Sequence, residues 1–365
     1  LKKRVILFTW VIPPGLGDLR TQLHAAEILR EAFPQIDLQL VTLLHKEVNY
    51  SLNIGSHCVT FSGSTPEDID SEPLPFSLLR EADLIIQLPT YYPKTEQFLS
   101  MLHSWPSKRP IPKYVFLGEY GWTGQPNFAN CMGLHPQEKG ILIDTSLCFK
   151  RTLPRDGPRF NLAYTRTETG GYLYLYGLLR SLASDSRDIE IAFFDMKNML
   201  ENVPKLFSTP KWGIKEVHIL YRNCFTKIPL APEGKTVTLQ HHDPLSHSQF
   251  LHFLSQTEDL FGCTGDCSIS EAISSDCMYW IDPLPHKTAF VKHLLALAIL
   301  RAPDAAEWIE LMLPTPHLPS LEARGERIAI LLADPHTREA VQRLSQLIRS
   351  EYCANRFLCS LVQAS

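Results

Sequence analysis

The sequence has no long apolar run. Its most apolar window, residues 289–300, is interrupted by Lys292 and His293, and a helix that crosses a bilayer needs about 20 apolar residues. It has no large excess of either charge. Thirty-five basic against 39 acidic side chains leave a formal net charge of −4. No strong positive field is therefore available to hold a nucleic-acid backbone or an anionic membrane, and only a local basic patch is left open. The nine cysteines include no CxxC pair. Cys263, Cys267 and Cys277 cluster loosely, but a zinc site built on them lacks a convincing spacing and a fourth ligand. Reduced thiols in the cytoplasm are the reading. There is no HExxH, no internal repeat and no low-complexity tract.

What is there is ordinary for a globular chain: 44% hydrophobic and 20% charged residues over 365 positions. This excludes a disordered chain and a coiled coil. At roughly 100–200 residues per domain, two domains are expected. The opening stretch, residues 1–14 (LKKRVILFTWVIPP), has a basic start and an apolar run. The run is short, rich in Val and Ile, and ended by Pro13-Pro14-Gly15, so it reads as a buried first strand and not as a secretory leader.

Short apolar runs alternate with amphipathic segments. In the first half, strands are expected at 4–11, 38–44, 57–63, 83–89, 113–119 and 140–144, with helices at 18–32, 75–81 and 94–103. Residues 145–159 carry Pro154, Gly157 and Pro158 among several charges and read as a linker. The alternation then restarts, with strands at 160–165, 188–194, 215–221, 235–240, 259–263 and 278–281, and helices at 171–183, 247–256, 268–275 and 286–301. From 302 onward the pattern is helical, with 328–332 as one further strand candidate. Alternating strands and helices imply mostly parallel sheets covered on both faces. The expectation is an α/β protein of two Rossmann-like, doubly wound domains, residues 1–150 and 151–305, with a helical tail, 306–365, that packs back on the first domain. In such folds ligands bind beyond the carboxyl ends of the strands, which puts the expected site in a cleft between the lobes.

Five segments can carry chemistry. In Pro13-Pro14-Gly15-Leu16-Gly17-Asp18, Gly15 and Gly17 let the backbone turn sharply after the first strand. Asp18 then stands at a helix start, where two roles are open: general base toward an acceptor, or a first-turn carboxylate complementing the helix dipole. No third glycine follows at the dinucleotide fingerprint's offset, which argues against an NAD site. In Gly262-Cys263-Thr264-Gly265-Asp266-Cys267-Ser268-Ile269-Ser270-Glu271, a strand ends in a glycine turn and a helix begins. Ser268 and Glu271 have capping-box spacing. The helix start, with Gly265, Asp266 and the Ser268 and Ser270 hydroxyls, suits a diphosphate; plain capping is the alternative. The loop after residues 235–240 offers Gln240 and His242 to a nucleotide base, against loop histidines with no role. Tyr164 and Arg166, before a further helix start, suit phosphate, against a solvated turn. Glu119, Tyr120 and Trp122, at a strand end, can line an acceptor pocket, against an ordinary turn with half-buried aromatics.

Taken in order, these segments resemble the two-lobed nucleotide-sugar glycosyltransferases of the GT-B fold. More narrowly, Leu16-Gly17-Asp18 and Gly265-Asp266-Cys267-Ser268 are similar to the Asn-Phe-Gly-Asp turn and the Gly-Glu-Asp-Ser donor motif of bacterial protein-arginine rhamnosyltransferases. The resemblance implies that Asp18 is the catalytic base and that Asp266 stands where that family has a glutamate. It implies a dTDP-, UDP- or GDP-sugar as co-substrate, no bound cofactor or metal, inversion at the sugar, and a protein acceptor. The chain departs from the pattern at Pro14, where the family has a second aspartate, and the family's Pro-Gln of the donor loop has no clear counterpart. Two other functions compete: a nucleotide-sugar epimerase of the same architecture, and a transferase-like binding protein without activity.

Overall fold

The computed structural model describes residues 2–11, 17–44, 58–62, 76–88, 95–121, 131–147, 157–194, 203–208, 211–221, 224–242, 247–314 and 320–365. The chain forms two units, Leu1–Ile143 with Glu351–Ser365, and Asp144–Ser350. Residues 306–350 of the expected tail thus belong to the second unit and 351–365 to the first.

The first unit holds a parallel five-stranded sheet of order β3-β2-β1-β4-β5: β1 (Arg4–Val11), β2 (Asp37–Leu44), β3 (Cys58–Ser62), β4 (Leu84–Gln87) and β5 (Lys113–Phe116). Helices α1 (Gly17–Ala32), α2 (Phe76–Leu79) and α3 (Thr95–Ser104) connect them. Val5, Ile6, Leu7 and Phe8 of the central strand are fully buried, as a strand covered on both faces requires, and this is why it reads as an unbroken apolar run. Buried Gln22 of α1 donates to the carbonyls of Leu7 and Val41 at 2.8 and 3.0 Å and accepts from Thr42 Oγ1 at 2.6 Å. One amide thus fixes the helix to two strands.

The second unit holds a seven-stranded sheet of order β12-β11-β6-β7-β10-β8-β9. Its elements in chain order are β6 (Arg159–Ala163), α4 (Glu168–Ser181), β7 (Ile189–Phe193), α5 (Val203–Leu206), β8 (Ile214–Tyr221), β9 (Cys224–Pro229), β10 (Lys235–His241), α6 (His247–Gln256), β11 (Phe261–Cys263), α7 (Asp266–Ser274), β12 (Tyr279–Ile281), α8 (Thr288–Arg301), α9 (Ala306–Glu310), α10 (Leu321–Ala333) and α11 (Pro335–Glu351). All ladders are parallel except β8–β9.

The last helix, α12 (Asn355–Gln363), completes the first unit. The Ile141 and Ala354 N–H groups donate to the carbonyls of Tyr352 and Ile141, each at 2.8 Å, and the Asn355 amide brackets Ile143 through both its N–H (2.9 Å) and its carbonyl (2.7 Å). Gly140 has φ +87°, and a Cβ there would stand 2.1 Å from the Tyr352 carbonyl oxygen. The join requires glycine on both counts.

Two strand expectations are corrected, and one strand is added. Residues 140–144 do not form a ladder; they make single bridges, Gly133 to Gly140 and Ile141 to Cys353. Residues 328–332 lie inside α10, where Ile328, Ala329, Leu331 and Leu332 continue a buried helical face that begins at Arg324 and Gly325. The antiparallel strand β9 was not anticipated. Its side chains are almost all exposed, so neither an apolar run nor a clean alternation marks it. Of the expected linker, Thr145–Leu147 forms a short 3-10 turn, and 148–156 lie outside the described residues.

Candidate functional site

Open α/β sheets bind ligands beyond the strand carboxyl ends, where the strand order reverses. In the second unit that point lies between β6 and β11, and in the first between β1 and β4.

At the end of β6, Tyr164 and Arg166 are half-buried, with Arg166 Nη1 3.5 Å from Tyr164 Oη. Thr167 caps α4, accepting the Gly170 N–H at 2.9 Å. The phosphate expected at this helix start meets competition from the protein itself. Asp282, at the end of β12, accepts from the Arg166 N–H, the Thr167 N–H and the Thr167 hydroxyl, each at 2.7 Å. Burial raises the Asp282 pKa from its ordinary value, against the pull of these donors and of Arg324. Arg324 is itself buried, donates to the carbonyls of Leu311 and Leu313 at 2.8 and 2.7 Å, and is pushed down to about 10 by desolvation. The approach to the start of α4 thus already holds a carboxylate of the protein.

At the end of β11 the arrangement differs. Gly265 is the N-cap of α7 and has no side chain to offer, and a Cβ built on it meets nothing within 4 Å. Ser268 is not the N-cap its spacing with Glu271 suggested. The helix begins earlier, at Asp266, because Ser268 Oγ reaches back to accept the N–H groups of Thr264 and Gly265 at 3.2 and 3.1 Å and donates to the Gly265 carbonyl at 3.0 Å. Ser270 and Glu271 are buried, with Cys267 Sγ 3.6 Å from Glu271 Oε1. Asp266 forms an ion pair with Lys287 at 2.5 Å. The turn is therefore built around Ser268, and the expected hydroxyl donors are committed or buried.

Toward β7 and β10 the same edge is aromatic. Phe194 lies edge-on to Tyr164 at 6.1 Å and contacts Phe250 at 5.9 Å and His242 at 6.4 Å. The His242 ring meets Phe253 edge-on at 4.9 Å, and the His242 backbone N–H donates to the Phe193 carbonyl at 2.9 Å. Gln240 and His242 are half-buried. Flat faces with polar tips suit a heterocyclic base.

In the first unit, Asp18 is half-buried in the first turn of α1, after exposed Gly17, whose carbonyl accepts from Thr21 at 3.0 Å. Gly15 and Trp122 lie outside the described residues. Glu119 is half-buried beyond β5. Tyr120 does not line a pocket as expected. It is 1% exposed, and its hydroxyl accepts the Leu142 N–H at 3.1 Å, so it is a core residue. Among the described residues no group of three or more His, Cys, Asp or Glu side chains is placed to hold a metal ion, and no helix is long and apolar enough to cross a membrane. The sequence's Asp-x-Asp, Asp68-Ile69-Asp70, lies outside the described residues. Seven described cysteines carry thiols outside any disulfide. Asp282, Lys287 and Phe194 escaped sequence reasoning. A carboxylate directly after a strand was the one available signal, for Asp282.

Two Rossmann-like units of this topology define the GT-B fold, and the chain has that fold. It is similar along its whole length to a structure described as the basis for EarP-mediated arginine glycosylation of translation elongation factor EF-P (12% identity, 100% of both chains, TM-score 0.55). It is similar to MurG of Acinetobacter baumannii (15% identity, 100% of both chains, TM-score 0.52). A third neighbour is described as a UDP-N-acetylglucosamine 2-epimerase from Listeria monocytogenes (9% identity, 100% of this chain and 96% of that one, TM-score 0.54). At these identities the likeness is one of fold. No protein-family model and no curated protein matches the sequence.

Proposed function

We propose that this protein is a cytoplasmic glycosyltransferase. It moves a hexose or deoxyhexose from a dTDP-, UDP- or GDP-sugar to an acceptor, with inversion and without a bound metal. The observation that carries the reading is the carboxyl edge of the second sheet. There Tyr164 and Arg166, the Phe194 and His242 rings with Gln240, and the Gly265 turn stand at the carboxyl ends of strands around the reversal point. The aromatic side receives the base. The start of α7, with Asp266 in its first turn and Ser268 shaping it, receives the diphosphate, assisted by Arg166. Asp18 takes the acceptor's proton as the acceptor attacks the anomeric carbon, and the nucleoside diphosphate departs. The Gly17–Asp18 turn and Glu119 lie on the acceptor side. The acceptor is a protein side chain, arginine by the resemblance in the two short motifs and by the neighbour concerned with EF-P.

A thermal-shift series with dTDP, UDP, GDP and CMP identifies the base, since a ligand at about 100 Kd adds roughly 2.7 kcal/mol. With the matching nucleotide sugar, sugar transfer and diphosphate release are then measured in EDTA. Asp18→Asn is expected to lower kcat about 10²–10⁴-fold while diphosphate affinity stays nearly unchanged. Unchanged turnover would reduce Asp18 to a helix-dipole residue. The epimerase-like neighbour favours a second reading. Interconversion of the sugar without net release of diphosphate would establish it, and binding without any turnover would leave a binding protein.

A further inference from the structure

Among the buried charges that the donor reading does not use, Lys287 is the one that stands at the α7 turn. Lys287 ends the short turn Pro285–Lys287 that leads into α8, and it is 3% exposed. Its ammonium reaches the first residue of α7, with Nζ 2.5 Å from Asp266 Oδ1 and the two side chains 4% and 11% exposed. Taking both charges out of water costs about what their attraction returns. A matched apolar pair would serve stability equally well.

Position suggests another use. A carboxylate in the first turn of a helix takes up the partial positive charge that the turn offers to an anion. At reduced dielectric it also repels any second anion. Lys287 cancels that carboxylate. Beside it, the Cβ side of Gly265 is open space, where an anion can approach the turn.

We propose that Lys287 is a positioning residue that acts through Asp266. By neutralising that carboxylate, it keeps the first turn of α7 receptive to a multiply charged phosphate group. The inference rests on the donor reading for the ligand being a diphosphate, but its test does not need a nucleotide.

The probe is inorganic pyrophosphate, titrated calorimetrically into the full chain well below its melting temperature. Lys287→Met is expected to weaken pyrophosphate binding about tenfold or more, because the carboxylate loses the Lys287 ammonium. The double variant Asp266→Asn with Lys287→Met restores the local net charge and is expected to return to within about threefold of the unsubstituted protein. Asp266→Asn alone, which keeps the ammonium, is expected to bind pyrophosphate more tightly. A merely structural lysine would move the melting temperature and leave this charge order unmet.

Unchanged pyrophosphate affinity in Lys287→Met overturns the proposal. So does a double variant as weak as Lys287→Met, since the lysine would then touch the anion directly. If Lys287→Met fails to fold, Asp266→Asn decides, and unchanged or weaker binding there overturns it. Absence of pyrophosphate binding by the unsubstituted protein also overturns it. Pyrophosphate binding without binding of dTDP, UDP or GDP would remove the donor reading and leave this inference standing.

Discussion

Two helices of the second unit, α4 and α7, start at adjacent strands of one sheet, yet their first turns are built in opposite ways. The start of α4 is closed by the chain itself. Thr167 caps it, and the Asp282 carboxylate accepts three further hydrogen bonds there. The start of α7 is capped by glycine, its turn is held from within by Ser268, and its one carboxylate is neutralised by Lys287. Both helices offer the same partial charge to an anion. What separates them is whether an anion of the protein already occupies the place. Sequence reading gave both starts a phosphate-binding alternative, and the partner residues distinguish them.

The strongest attack on this contrast is to empty the α4 start. Asp282→Ala leaves three donors to find new partners and is expected to cost about 2–4 kcal/mol, read as a lower midpoint in urea. Little loss would mean that water replaces the carboxylate freely and that α4 is as open as α7.

Next, the two glycines report on occupancy. A Cβ on Gly170 would lie 2.1 Å from Asp282 Cγ, so Gly170→Ala is expected to cost about 1–3 kcal/mol by overpacking. A Cβ on Gly265 meets nothing. Gly265→Ala is therefore expected to cost no more than about 1 kcal/mol, through the poorer N-cap, and to weaken nucleoside diphosphate binding by crowding its approach. Equal affinity in Gly265→Ala and the unsubstituted protein would place the diphosphate elsewhere.

Ser268→Ala removes the oxygen that gathers the Thr264 and Gly265 N–H groups, at an expected cost of about 0.5–2 kcal/mol. Because that hydroxyl is already committed, diphosphate affinity measured below the melting transition is expected to fall less than about tenfold, under 1.4 kcal/mol. A larger loss would show that the hydroxyl leaves its turn to bind phosphate.

The smallest effect is on pH dependence. The folded-state pKa of Asp282 is raised, so the folded protein holds that proton more tightly than the unfolded chain does. Its contribution to stability is fully present below the unfolded pKa and is lost as pH rises through the folded one. Urea midpoints of the unsubstituted protein and Asp282→Asn, compared at pH 4 and pH 7, should therefore diverge in favour of aspartate at the lower pH. Divergence in the opposite direction would mean that the donors at α4 outweigh burial.

Most of the architecture was legible because a parallel sheet covered on both faces leaves a one-dimensional trace. Val5 through Phe8, Leu84 through Ile86 and Tyr279 through Ile281 are buried without alternation, and such runs stand out wherever they occur. The exposed edge strand β9 leaves no such trace, and within a stretch that reads as helical the apolar residues 328–332 of α10 also fit a strand. For the site, sequence indicated which turns follow which strands, and hence that Arg166, Gln240, His242 and Gly265 belong to one sheet edge. That Tyr120 is core, that Ser268 serves its own turn, that Asp282 fills the start of a helix more than a hundred positions upstream, and that residues 351–365 return to the first unit were decided only by tertiary structure. The physical reason is range. Apolar periodicity and glycine turns are local properties of the chain, whereas a hydrogen bond or an ion pair depends on which distant residue the fold brings within about 3 Å.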